Sequence, residues 1–215
     1  MPKFIVTTSD KYLHLIPVFT YLFNKYFNNE QEVTILGYQF PKGELPENFT
    51  FHSMGVHGPV NEWSTDLRKY FESIPDEHLI WFMEDQLIRS FNEDYFNMAC
   101  SLMYPGIGRI DLTNDTSKRE HTKDQFGVLW AHPRTRYRLS TQVSIWNKEF
   151  LLTYLTDGQN PWQFEVQDAF DDKWAIVGLE YPPLRVNEGV RKFDPNKLDL
   201  NGFSDEDVKH INSLL

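Results

Sequence analysis

The chain has 215 residues, enough for one domain that buries a core without disulfides or structural metals. Its 31 acidic against 21 basic side chains give a formal charge of −10, a field that repels nucleic acid and anionic membrane surfaces. A single cysteine, Cys100, excludes an internal disulfide and any cysteine-rich metal site, and it fits a reducing compartment.

In chain order, the first half alternates strand and helix patterns. Phe4-Ile5-Val6-Thr7-Thr8 is a β-rich run that stops at Ser9-Asp10, and residues 13–26 then carry apolar side chains at helical spacing. A second strand pattern covers 32–38 and a weaker third covers 49–54, after a loop rich in Pro and Gly. Trp63-Ser64-Thr65-Asp66 reads as a helix start in which Ser64 or Thr65 caps free N–H groups, with Leu67, Tyr70, Phe71 and Ile74 as the apolar face. His78-Leu79-Ile80-Trp81-Phe82-Met83 is continuously apolar, the mark of a strand covered on both faces.

Further on, 91–103 reads as a helix, 109–112 as a short strand and 114–124 as a charged surface loop. Arg134, Arg136 and Arg138 gather ahead of the stretch 139–146, and helical signals return at 148–155. Asp157-Gly158-Gln159-Asn160-Pro161 is a turn into another helix, with Pro161 where its missing N–H does no harm. A strand at 174–179 leads to a tail that ends in an amphipathic helix started by Ser204-Asp205-Glu206-Asp207. The expected architecture is an α/β open mixed sheet flanked by helices. Residues 1–180 are expected to form the main domain and 181–215 a C-terminal extension. No run of ~18 apolar residues occurs, so no membrane span is expected, and with no leader pattern the expected address is the cytoplasm.

Open α/β sheets bind ligands outside the carboxyl ends of their strands, which directs attention to residues 7–10, 38–40 and 84–86. Glu84-Asp85-Gln86 follows the most apolar strand. Two adjacent carboxylates there repel each other and pay for lost water unless a cation or hydrogen-bond donors face them, and Mg2+ or Mn2+ prefers such hard oxygen ligands. Thr7, Thr8 and Asp10 offer hydroxyls and a carboxylate where a ribose or base would lie. Glu165 stands one turn into a helix, whose positive end favours an ionised carboxylate and so a base. The seven histidines show no ligand spacing, and no Gly-rich phosphate loop or nucleophile elbow occurs.

In their shared order, Ile5 to Tyr12, the 17–26 helix, Val33 to Tyr38, Trp63-Ser64, Pro75-Asp76-Glu77, Phe82-Met83-Glu84-Asp85, Arg109 to Leu112, Leu139 to Trp146 and Pro161-Trp162-Gln163-Phe164-Glu165 resemble a family of small GT-A-type glycosyltransferases of bacteria, phages and large viruses. The resemblance covers 3–170 and implies a GT-A-like, Rossmann-like sheet with a nucleotide-sugar donor, most often a UDP-sugar, and a saccharide or other hydroxyl acceptor. It implies donor binding by Thr7, Thr8, Asp10, Trp63, Arg68, Glu84 and Trp162, with Glu165 as the catalytic base. A divalent cation, Mn2+ or Mg2+, would lie on Asp85, Glu84 and Gln86, although the family's metal motif carries a carboxylate where Gln86 stands. A host cytoplasm is implied if the gene is viral. The alternatives are a sugar-phosphate nucleotidyltransferase, against which the lack of Gly in residues 7–12 counts, and a non-catalytic nucleotide-sugar or carbohydrate-binding protein of the same fold.

Overall fold

In a computed structural model, which describes residues 2–170, 172–190, 194 and 197–215, the apolar runs of the first half become adjacent parallel strands. β1 (Lys3–Thr7) lies between β2 (Val33–Gly37) and β4 (His78–Met83), with β3 (Phe49–Ser53) outside β2. All four run the same way, so Thr7, Gly37, Ser53 and Met83 end along one edge. β9 (Ser144–Asn147) then inserts antiparallel between β4 and β6 (Ile107–Asp111). β10 (Ala175–Leu179) runs parallel to β6, and β8 (Val128–Ala131) and β7 (His121–Lys123) close the far side antiparallel. The order is 3-2-1-4-9-6-10-8-7, an open mixed sheet of the expected α/β class.

Side chains along each strand divide by the pleat's period of two. Phe4 and Val6, Ile80 and Phe82, and Ile145 enter one core, while Ile5, Leu79, Trp81 and Trp146 enter the other. The first core is covered by α1 (Ile16–Tyr26) and α3 (Glu93–Ser101), through Ile16, Phe19, Phe23, Phe96 and Ala99. The second is covered by α2 (Trp63–Ser73), α4 (Lys148–Tyr154) and α5 (Pro161–Val166), through Leu67, Phe71, Phe150, Leu151 and Phe164. Two apolar layers explain why the central strands read as unbroken hydrophobic runs. Gly108 permits the closest approach of α4, because a Cβ there would lie 2.5 Å from the Phe150 ring.

Several segments differ from the sequence reading. The helix expected over 91–103 is shorter, since Phe91 ends β5 (Gln86–Phe91) and the Asn92 side chain caps α3 by accepting the Tyr95 N–H at 3.0 Å. The stretch 114–124 holds a 3-10 turn and β7 rather than a free loop. Asp111, fully buried, accepts the N–H groups of Thr113 (2.9 Å) and Thr116 (2.6 Å), and Asp115 pairs with Arg109 and Arg119. Ser64 and Thr65 do not cap α2, whose N-cap is Glu62; their hydroxyls accept the Gln159 and Gly158 N–H groups at 2.8 and 3.0 Å. β11 (Leu184–Glu188) pairs antiparallel with β5 as a second, two-stranded sheet.

The final helix, α6 (Asp205–Leu214), is capped by Ser204, whose hydroxyl accepts the Asp207 N–H at 3.1 Å. Asp207 is buried yet receives Lys25 at 2.6 Å, Tyr21 at 2.8 Å and Tyr26 at 2.6 Å, all from α1. Burial works against its ionisation, but these donors outweigh it and hold the carboxyl well below the usual range. A depressed value stabilises the fold above about pH 4, where the unfolded carboxyl is ionised, and the contribution is lost as pH falls toward the folded value. Asp207→Asn is therefore expected to cost about 1–3 kcal/mol at neutral pH and to flatten the acid limb of thermal stability, measured as Tm against pH.

Candidate functional site

The edge where the parallel strands end is held by backbone bonds that continue past them. Thr8 N–H donates to Leu36 O at 2.9 Å, Glu84 N–H to Thr7 O at 3.2 Å and Met54 N–H to Gly37 O at 2.8 Å. Thr7 is turned inward: its hydroxyl accepts the Trp81 indole N–H at 2.9 Å and lies 3.2 Å from Met83 Sδ. Thr8 is buried against Gly37, where a Cβ would meet the Thr8 methyl at 2.9 Å. Asp10 faces the neighbouring strand ends. Its carboxylate accepts the Gln39 side-chain amide at 3.0 Å and backbone N–H at 3.3 Å, and stands 3.3 Å from His57 Nδ1. The His57 ring stacks flat on Tyr38 at 4.4 Å, and the Tyr38 hydroxyl donates to Asp66 at 3.1 Å. These five side chains make one polar and aromatic wall.

Beside it, Glu84 and Asp85 form the two-residue turn between β4 and β5. The Asp85 carbonyl accepts the Gly189 N–H, an approach open only to glycine because a Cβ would lie 2.8 Å from that oxygen. Glu84 is 4% exposed. Burial and then the Asp85 charge push its carboxyl up to about 8, against partial relief from the backbone N–H groups of Glu84 and Ser9. Gln86 is turned inward and committed: its side-chain oxygen accepts the Met83 N–H at 2.8 Å and its amide donates to Thr141 O at 3.0 Å. So engaged, Gln86 braces the turn that carries Glu84 and Asp85.

Thr141 is the hinge of the arrangement. Its N–H and hydroxyl both donate to Glu165 Oε1, at 2.7 and 2.6 Å, so Gln86, Thr141 and Glu165 form one chain of contacts. Among the described residues no partner engages Glu165 Oε2. Asn160 and Gln163 complete a capping box at the start of α5 and fix the helix that carries Glu165. Trp162, one turn earlier on the same face, is 58% exposed. Trp63 stacks on Trp81 at 5.8 Å under this side of the edge. Arg68 is not brought to the site: its guanidinium bonds the Leu152 and Leu155 carbonyls at 2.8 and 2.9 Å and pairs with Glu72.

Sequence reasoning missed Thr141, His57 and Asp66 as site residues, and it singled out Tyr38 and Gln39 only as part of the stretch 38–40 just past the end of a strand, without giving either a role.

A divalent ion fits part of the expected set. Among the described residues no three His, Cys, Asp or Glu side chains cluster as a complete cage. Glu84 and Asp85 nevertheless supply two hard carboxylates, one of them desolvated and short of positive charge. Mg2+-type sites commonly take one or two protein carboxylates and complete themselves with waters and phosphate oxygens.

The chain matches no family profile and no curated protein. Solved structures similar to it include a cytidylyltransferase from Leptospira borgpetersenii serovar Hardjo-bovis. That likeness has a TM-score of 0.42 and 9% identity, over 77% of this chain and 68% of the other. A second is CMP:2-keto-3-deoxy-manno-octonic acid synthetase complexed with CTP, with a TM-score of 0.49 and 10% identity over 87% and 92%.

Because the Glu84 carboxyl is raised from an ordinary 4.5 to about 8, the folded chain holds a proton that the unfolded chain releases, and stability falls as pH climbs between those values. Glu84→Gln removes that slope. Its Tm is expected to exceed the parent's increasingly from about pH 5 to about pH 8 without metal, and melting curves across that range check it.

Proposed function

We propose that the chain is a metal-assisted transferase of nucleotide-linked sugar chemistry. The nucleotide would lie along the strand ends, with its base against the Tyr38 and His57 wall and its phosphates over Glu84 and Asp85. The observation that carries this reading is the continuous line from the desolvated acidic turn through Gln86 and Thr141 to Glu165. It sets a carboxylate with one unengaged oxygen beside a place suited to a cation and its phosphates. A cytoplasmic setting fits the lone thiol of Cys100.

Glycosyl transfer is the form Glu165 supports. Thr141 fixes Oε1 and orients the side chain, and Oε2 takes the proton from an acceptor hydroxyl. The hydroxyl oxygen bonds to the anomeric carbon while the bond from that carbon to the nucleoside diphosphate breaks, and the configuration inverts. Glu84 and Asp85 would hold a divalent ion, which would supply positive charge against the diphosphate. Trp162 offers a flat apolar surface for a sugar ring.

Nucleotidyl transfer uses the same cleft, and it is the chemistry named for both solved structures above. In it an oxygen of the sugar attacks the α-phosphorus of a nucleoside triphosphate and pyrophosphate leaves. Lys11, exposed in the turn after β1, is the feature on its side, as a cation placed to meet a triphosphate.

A melting series with UDP, GDP, CMP, ADP and CTP, with and without Mn2+, is expected to show metal-dependent stabilisation by one nucleotide. Asp85→Asn should abolish that stabilisation; its survival rules out the metal assignment. Glu165→Gln should keep the stabilisation and lose about a hundredfold or more of sugar transfer. Pyrophosphate release from CTP, unaffected by Glu165→Gln, selects nucleotidyl transfer instead.

A further inference from the structure

β5 leaves the acidic turn directly, since it begins at Gln86, and it stands outside the nine-stranded sheet. Its one strand partner among the described residues is β11, which runs antiparallel with Glu188 opposite Gln86 and Leu184 opposite Phe91. One residue further on, the Gly189 N–H reaches the Asp85 carbonyl. The strand behind Glu84 and Asp85 is therefore held by residues from the other end of the sequence.

β11 is itself secured from further along. The Asn187 side-chain amide donates to the Asp199 and Asn201 carbonyls at 2.9 and 2.8 Å, and the Asp199 N–H returns to Gly189 O at 3.0 Å. Val190 and Leu198 form a β-bridge beside them. Gly202, in the left-handed region with φ 82, then lies against β5, where a Cβ would meet Arg89 Nη1 at 2.7 Å. α6 follows and seats Ile211 with Val18 and Leu22 of α1 and Leu87 of β5, all four buried. Asp207, gripped by Lys25, Tyr21 and Tyr26, fixes the same helix at its first turn.

This apolar cluster is separate from the two that flank the main sheet, and among the described residues it is much the smallest. A segment held by few buried apolar side chains opens at lower free energy than the body of a domain. Opening here parts β11 from β5 and withdraws Gly189 from Asp85. Gln86 alone then braces the turn, through Met83 and Thr141.

We infer that β11 and α6, with residues 197–204 before the helix, act as a strap on the acidic turn. Seated, the strap keeps Glu84 and Asp85 together in the shape that takes a cation; unseated, it lets the two carboxylates part. Adjacent like charges repel, and a backbone held from both sides resists that repulsion. The inference rests on the cation reading of the turn. Coupling between two equilibria is reciprocal, so a cation on the turn also favours the seated helix.

The test compares the full chain with Ile211→Asp, which puts a charge into the small cluster and unseats α6, and with Val128→Ala, a core truncation on β8 near the opposite edge of the sheet. Free Mn2+, alone and with UDP or CTP, is counted by its paramagnetic resonance signal, and opening is read by backbone hydrogen exchange. In the parent, Mn2+ is expected to slow exchange across β11 and α6, and Asp85→Asn to abolish that effect. Ile211→Asp is expected to speed exchange there, to leave β1 and β4 protected, and to weaken Mn2+ about tenfold, the loss when about a tenth of the molecules stay seated. Val128→Ala is expected to bind Mn2+ as the parent does. Should Ile211→Asp also strip protection from β1 and β4, Asp207→Asn takes its place, with Mn2+ affinity falling as α6 opens. Parental Mn2+ affinity in a chain whose α6 has opened overturns the inference. So does Mn2+ binding that leaves exchange in α6 unchanged, or an equal weakening by Val128→Ala. Those results leave the transferase reading standing, whereas a parent that binds no Mn2+ under any of these conditions removes both.

Discussion

A carboxylate withdrawn from water at the end of β4 is the constraint around which the site is arranged. Glu84 keeps almost no solvent contact and has Asp85 beside it, so its ionised form is costly where it stands. Two backbone N–H groups offset part of that cost, and a positive charge would offset the rest. The turn cannot relax outward, because Gln86 ties it to the Met83 N–H and to Thr141, and Gly189 closes on the Asp85 carbonyl from behind. A strained electrostatic position held by a satisfied hydrogen-bond frame is what a ligand site of this kind needs.

The sheet order delivers the second half of the site. Inserting β9 antiparallel between β4 and β6 returns the chain, through the loop before β9, to the edge where β1 to β4 end. Thr141 lies in that loop and Glu165 in the short helix that follows α4, so residues 55 and 79 positions beyond Gln86 come to act with it. Packing sets the helix in place: Phe164 fills the core beside Trp63, Trp81 and Trp146, which leaves Glu165 and Trp162 on the outer side.

Legibility in the sequence followed the strength of local pattern. β1 and β4 were plain because both faces are buried, and the ends of α5 and α6 were plain because Asn160, Pro161 and Ser204 act on their own turns. β5 and β11 were not, since each is short and stabilised by the other from nearly a hundred positions away. Thr65 and Ser64 resembled helix caps and bond a distant loop instead, and Arg68 resembled a phosphate ligand and serves the last carbonyls of α4. A polar side chain has several partners open to it, and only long-range packing selects among them.

The sequence by itself determined that this is an α/β chain with a parallel core and an acidic pair at the tip of its most apolar strand, because those features arise from residues adjacent in the chain and from the pleat's period of two. The tertiary structure alone decided that Gln86 faces inward, that Thr141 joins the acidic turn to Glu165, and that Arg138 is buried on the Trp174 carbonyl. The reason is physical: a hydrogen bond between residues far apart in sequence forms only after backbone entropy has been spent on bringing their strands together, and nothing local records which pair will meet.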